Sequence, residues 1–178
     1  RWQAAGPGLL HPHRAFALNA AKGGAAEVIG VGRSQLGVDQ AAKNAALNGM
    51  SDRVRFVCRD VFELLPELHR QGEQFDLVVL DPPAFTKSRA SVKKAVTGYR
   101  EINLRGIKLV KKRRLSGHLS PGSHFMTPEL FTKTIGEAAR DARRRLRQVE
   151  SPHPVPRPSG AVGADQSLYL KFYIFQVV

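Results

Sequence analysis

Two hydrophobic periods alternate along this chain. Short runs that are continuously apolar, or that alternate residue by residue, read as strands. They are "EVIGV" (27–31), "RVRFV" (53–57), "FDLVVL" (75–80) and "LYLKFYIFQVV" (168–178). Between them apolar residues recur at helical spacing. The helix over 15–22 closes on Gly23 and Gly24. The next runs over 34–49, with Ser34 as N-cap, Gly49 as terminator, and Leu36, Ala41, Ala42, Ala45 and Leu47 largely on one face. A third, over 61–71, carries Pro66, which must sit in the first turn or kink it. The helix over 90–110 repeats Val92, Val96, Tyr99, Ile102 or Asn103, Ile107 and Val110. The last, from Pro128 to Val149, has a stripe of Phe131, Ile135, Ala138, Ala142 and Leu146 under an Arg-rich outer face.

Alternating helices and strands with short connections predict an α/β domain, its mostly parallel sheet covered by helices on both faces. The apolar run 75–80 suits a central strand buried on both sides. Three stretches have neither period: 1–14, 113–122 and 151–163. Rich in Pro, Gly, Arg and His, they read as loops. Yet each falls where the alternation calls for a strand or a strand end.

The 178 residues suit one domain over 1–178. No apolar run approaches the ~20 residues of a membrane span. No secretory signal is visible, and the absence of an initiator Met fits a fragment of a longer protein. Cys58 is the sole cysteine, so no disulfide forms within the chain, and a reducing cytoplasm is the expected compartment. The six His have no metal-ligand spacing, and no metal is expected. The formal charge of +13 is uneven. Residues 86–148 hold 17 of the 28 Lys and Arg, against only Glu101, Glu129, Glu137 and Asp141. Such asymmetry fits a polyanion, most simply nucleic acid, or else solvated helix faces.

In open α/β sheets ligands bind beyond the carboxyl ends of the strands. Those ends carry Gly32-Arg33-Ser34, Cys58-Arg59-Asp60 and Asp81-Pro82-Pro83. Asp60, just before a helix, can cap it or accept from an adenine amino group. Asp81 can make an ordinary turn or accept hydrogen bonds from an amine or a base. The double proline removes two N–H donors and leaves outward carbonyls as a rigid rim of acceptors. Cys58 reads as a packed residue rather than a nucleophile.

The ordered set "EVIGV-x-RS", "NAALNGM", "VRFVCRDVFELLPEL", "FDLVVLDPPAFTKS", "GYREINLRGIKLVKK", "SHFMTPELF" and "YLKFYIFQV" resembles one family. It is similar to the catalytic domain of S-adenosylmethionine-dependent large-subunit rRNA cytosine-C5 methyltransferases, whose members also carry a PUA domain. The resemblance implies a Rossmann-like class I methyltransferase fold, S-adenosyl-L-methionine as cofactor and large-subunit rRNA as partner. It places Gly32, Ser34, Asp60, Val61, Phe62, Asp81 and Pro82 on the cofactor side, Asp60 near the adenine. Asp81 would also face the target base as the catalytic group. Pro83, Lys87, Ser88 and Arg100 would lie on the RNA side, with the basic helices towards phosphates.

Three features depart from the family. The glycine-rich loop after the first strand is replaced by "GLLHPHRAF". Gly32 stands where an acidic residue holds the ribose hydroxyls. The nucleophilic cysteine falls at Gly122 and a second cysteine at Ser120. Cytosine C5 becomes nucleophilic only after a thiolate adds at C6, so impaired methyl transfer is expected. The atypical stretches keep family length but not residue types, as after a compensated reading-frame slip; sequencing the coding DNA tests this. Two other readings stay open: a non-catalytic basic RNA-binding module, and a methyltransferase acting on an exocyclic amine.

Overall fold

The computed structural model describes residues 2–5, 12–82, 85, 91–120, 126–150 and 171–178. Seven strands and five helices alternate. They are β1 (Trp2–Ala5), α1 (Pro12–Lys22), β2 (Val28–Gly32), α2 (Gln35–Leu47), β3 (Val54–Cys58), α3 (Val61–Arg70) and β4 (Phe75–Leu80), followed by α4 (Val92–Lys108), β5 (Val110–Ser120), α5 (Pro128–Asp141), β6 (Leu146–Glu150) and β7 (Lys171–Val177). The strands form one sheet in the order β3-β2-β1-β4-β5-β7-β6. All neighbours from β3 to β5 are parallel, and β7 runs antiparallel to both β5 and β6. The expected α/β architecture is observed.

Side-chain alternation on the strands divides the core. Val28 and Val54 turn to Ala17, Ala20, Ala21 and Ala45 of α1 and α2. Ile29, Val31, Val78 and Leu80 turn to the other face, against Val61, Leu64 and Leu65 of α3 and Ile102 of α4. A third cluster joins Tyr99, Phe131, Ile135, Tyr173 and Phe175 between α4, α5 and β7. The stripe on α2 is narrower than its sequence suggests. Ala41 and Ala45 are buried, but Leu36 and Leu47 are 80% and 85% exposed. These leucines sit outside the arc that the small alanines press against the sheet.

Tertiary pairing overrides local composition in four places. Trp2–Ala5, within a stretch that reads as loop, lies between β2 and β4 as a central strand. The polar run 113–120 is the greater part of β5; Leu115–His118 are bonded on both sides by β4 and β7, and Leu119 and Ser120 by β7. The helix expected to reach Val110 ends at Lys108, and β5 begins at once. The helix expected to reach Val149 stops at Asp141, because Arg143 takes a φ of 55° and reverses the chain. Leu146 still reaches the core, but from β6, whose backbone completes the outer edge of β7. Residues 151–163 lie outside the described residues.

Pro66 sits inside α3, beyond its first turn. Lacking an N–H, it cannot donate to the carbonyl of Phe62. The guanidinium of Arg105 on α4 donates to that oxygen instead, while its Nε pairs with Glu101 at 2.5 Å. A helix defect is thereby converted into a tie between α3 and α4.

Candidate functional site

The strand order reverses at β1, so the crevice between the carboxyl ends of β1 and β4 is the topological switch point. Asp81 is the first residue past β4 and stands there, followed by buried Pro82. Burial pushes its carboxyl up to about 6. Such a group changes charge close to neutral pH, unlike an ordinary surface aspartate.

At the next strand ends the side chains have defined partners. Ser34 caps α2, its Oγ accepting from the Gly37 N–H at 3.2 Å. Asp60 caps α3, accepting from the Phe62 N–H at 2.8 Å, and its other oxygen lies 3.6 Å from Arg33 Nε. Its side chain keeps 33% exposure, so one oxygen can still meet a ligand. Val61 is buried beneath this cap. Gly32 has room: a Cβ built there would meet Val38 Cγ2 at 3.5 Å, an ordinary contact. Sterics therefore do not exclude a carboxylate at this position.

Phe85 connects two of these walls. Its ring lies 6.1 Å from Phe62 and 4.6 Å from Tyr99, and its N–H donates to the Tyr99 hydroxyl at 2.9 Å. Gly98 admits the ring, since a Cβ there would come within 3.3 Å of it. Behind Tyr99 runs a buried polar chain. Asn103 donates from Nδ2 to the Tyr99 carbonyl at 2.7 Å. Its Oδ1 therefore accepts from His118 Nδ1, and His118 Nε2 accepts from the Ser116 hydroxyl at 2.7 Å. Asn103, Ser116 and His118 are all essentially inaccessible to solvent. Burial depresses the His118 ring to about 3, so it is neutral.

Gly32, Ser34, Asp60, Val61, Phe62, Asp81 and Pro82 thus gather along the carboxyl edge of β2, β3 and β4. Arg100 is elsewhere engaged: its Nη2 lies 2.6 Å from Asp141 and its Nε 2.8 Å, tying α4 to α5. Pro83, Lys87, Ser88 and Gly122 lie outside the described residues. Cys58 ends β3, three strand spacings or about 14 Å from β4. In the sequence, Tyr99 and Asn103 stand out only as members of an apolar stripe. The signal available was a polar Asn at a stripe position beside Ile102. Nothing in the sequence pairs it with His118. Among the described residues no three His, Cys, Asp or Glu side chains gather as metal ligands. No helix among them is long and apolar enough to cross a membrane.

A family model described as a methyltransferase domain matches residues 12–129. The ribosomal RNA large subunit methyltransferase I of Alteromonas mediterranea is 40% identical over 146 residues, covering 79% of this chain and 36% of the relative. The Klebsiella pneumoniae protein of the same name is 36% identical over 177 residues, covering 92% and 41%. The chain therefore spans well under half the length of these relatives. A solved methyltransferase complexed with SAH aligns with a TM-score of 0.75 at 21% identity, covering 99% of this chain and 45% of that one. A SAM-dependent methyltransferase from Streptococcus mutans gives 0.77 at 20% identity, covering 99% and 44%. These two likenesses establish the fold. With the switch-point geometry and the matched residues together, the chain belongs to the methyltransferase domain family.

Proposed function

We propose that this chain is the cofactor-binding catalytic domain of an S-adenosylmethionine-dependent large-subunit rRNA methyltransferase, directed to a cytosine C5 and impaired in that step. The observation that carries the reading is Asp81 at the β1/β4 switch point, with Asp60 at the neighbouring strand end. The relatives named for rRNA methylation supply the substrate class. The cofactor would supply an electrophilic methyl group. Asp60 would accept from its adenine amino group, with Val61 and Phe62 packing beside the ring. Asp81 would orient the target base at N3. No residue supports the thiolate addition that C5 transfer needs. Gly122 and Ser120 replace the expected cysteines, and Cys58 ends a strand too distant to substitute.

One observation favours a second reading. A carboxyl that titrates near 6 suits acceptance of a proton from an exocyclic amine, a reaction that needs no thiol. Calorimetry with S-adenosylmethionine tests both, and no heat of binding at millimolar cofactor sinks both. If the cofactor binds, methyl transfer to an rRNA fragment followed by nucleoside analysis discriminates. Slow formation of 5-methylcytidine supports the first reading and an N-methylated base the second. No product in either class leaves a non-catalytic RNA-binding module.

A further inference from the structure

Among the described residues, two dense basic runs stand at the end of the sheet opposite the candidate site. β5 begins with Val110, so Lys111, Lys112, Arg113 and Arg114 occupy its foot. β6 is parallel to β5 through their shared antiparallel neighbour β7. The foot of β6 is therefore at the same level, and Arg143, Arg144 and Arg145 lead into it. The register confirms the alignment: Leu115 pairs with Gln176, and Leu146 with Val177. Gln176 stands between the clusters. Its Nε2 donates to the Arg113 carbonyl at 3.2 Å, and its Oε1 accepts from Arg147 at 2.5 Å. The two rows lie two strand spacings apart, about 10 Å. Lys108, at the end of α4, adjoins them.

Few carboxylates answer this charge. Asp76, at the foot of β4, is shared by Lys111 at 3.1 Å and Arg114 at 3.0 Å. Among the described residues no acid pairs with Lys112, Arg113, Arg143, Arg144 or Arg145. Lys112, Arg113, Arg143 and Arg145 are exposed, and Arg144 is half-buried. The fold does not ask for arginine at 113 or 143, whose φ values of 65° and 55° suit glycine better. An array of unpaired cations repels itself and gains most from a flexible polyanion. Guanidinium groups match phosphate oxygens particularly well.

We propose that this row, centred on Lys112, Arg113, Arg144 and Arg145, is a sequence-independent docking edge for the phosphate backbone of RNA. It is separate from the methyl-transfer side and rests on the reading of RNA as substrate. Five residue rises separate Asp76 from Asp81, about 16 Å along the sheet. A nucleotide at Asp81 and the phosphates held at the opposite edge thus belong to different parts of the RNA. A long RNA engages both, and a short oligonucleotide engages only one.

The test is the salt dependence of affinity for a long unstructured RNA, comparing the wild-type chain with K112Q/R113Q/R144Q/R145Q. A control, K22Q/K43Q, removes charge from exposed positions on α1 and α2. The slope of log affinity against log salt is expected to fall by about 3 in the quadruple variant, near 0.7 for each lost phosphate contact. The control should change it by less than half as much. Melting temperature should not fall below that of the wild type, and cofactor heat should match it. An unchanged slope in the quadruple variant overturns the proposal. So does an equal loss in the control, or a wild type that binds polyglutamate more tightly than RNA of equal charge, or binds no RNA at low salt. Salt-dependent binding with no methyl product sinks the enzymatic reading alone and leaves the docking edge standing.

Discussion

Acidification is expected to weaken this fold through one buried ring. His118 is fully buried, and its two nitrogens are committed to Asn103 and Ser116. Its pKa is about 3 in the folded chain, against about 6.5 for an unfolded histidine. A base with a depressed folded pKa favours the native state above the unfolded pKa and disfavours it as the pH falls below. Here the window runs from 6.5 down to about 3. Between pH 7 and pH 5 the unfolded chain takes up this proton and the native chain does not, which costs about 2 kcal/mol. Asp81 acts in the opposite sense. Its raised pKa makes the native state bind its proton first, so stability rises as the pH falls from about 6 towards 3.8. A simple pH profile therefore mixes the two. The clean measurement is the difference in urea stability between wild type and His118→Leu at each pH. Leucine leaves Asn103 Oδ1 and Ser116 Oγ without their ring partner, so the variant starts about 2 kcal/mol less stable at pH 7. That deficit should shrink by about 2 kcal/mol at pH 5, because the variant has no ring to titrate. A deficit equal at both pH values refutes a buried neutral His118.

Four further outcomes follow from the geometry. If Asp81 accepts a proton from an exocyclic amine, the rate of methyl transfer should rise with pH through about 6, whereas donation from the protonated carboxyl to cytosine N3 makes it fall there; Asp81→Asn should flatten either limb. Gly106→Ala would place a Cβ 2.6 Å from Leu80, the residue that delivers Asp81. It should cost about 1–3 kcal/mol in denaturant melts and weaken cofactor binding in parallel. Arg113→Gly should raise stability by about 1 kcal/mol, since it relieves a left-handed φ of 65°. Gly32→Asp should tighten S-adenosylmethionine binding about tenfold by calorimetry, because charge-assisted hydrogen bonds contribute about 1.5–3 kcal/mol. An unchanged dissociation constant would remove position 32 from the ribose site.

The carboxyl-edge residues and the charged edge explain each other's placement. Parallel strands expose their carboxyl ends to ligands, and the proposed cofactor site accordingly lies on the edge that carries Asp60 and Asp81. Among the described residues, short returns from helices lead into the opposite ends. Charge there interferes least with a cofactor, and Lys112 and Arg145 can be exposed without disturbing either hydrophobic face.

Elements whose physics is local can be read from the chain alone. β2, β3 and β4 are apolar enough to be strands in any buried setting, and α2 and α3 begin at Ser34 and Asp60, whose side chains cap them. Those strand ends put Asp60, Asp81 and Pro82 on one edge, a placement already legible in the sequence. Partners separated along the chain decided the rest. β1 and the polar half of β5 are strands because neighbours on both sides satisfy their N–H and C=O groups, whatever their own propensity. α5 ends at Asp141 because β7 needs a pairing partner and Arg143 can turn the chain towards it. The union of His118 with Asn103, the aromatic clamp on Phe85 and the alignment of Arg113 with Arg145 join residues 15, 14 and 32 positions apart. No periodicity encodes such meetings. They exist only once the sheet has set which strand lies beside which.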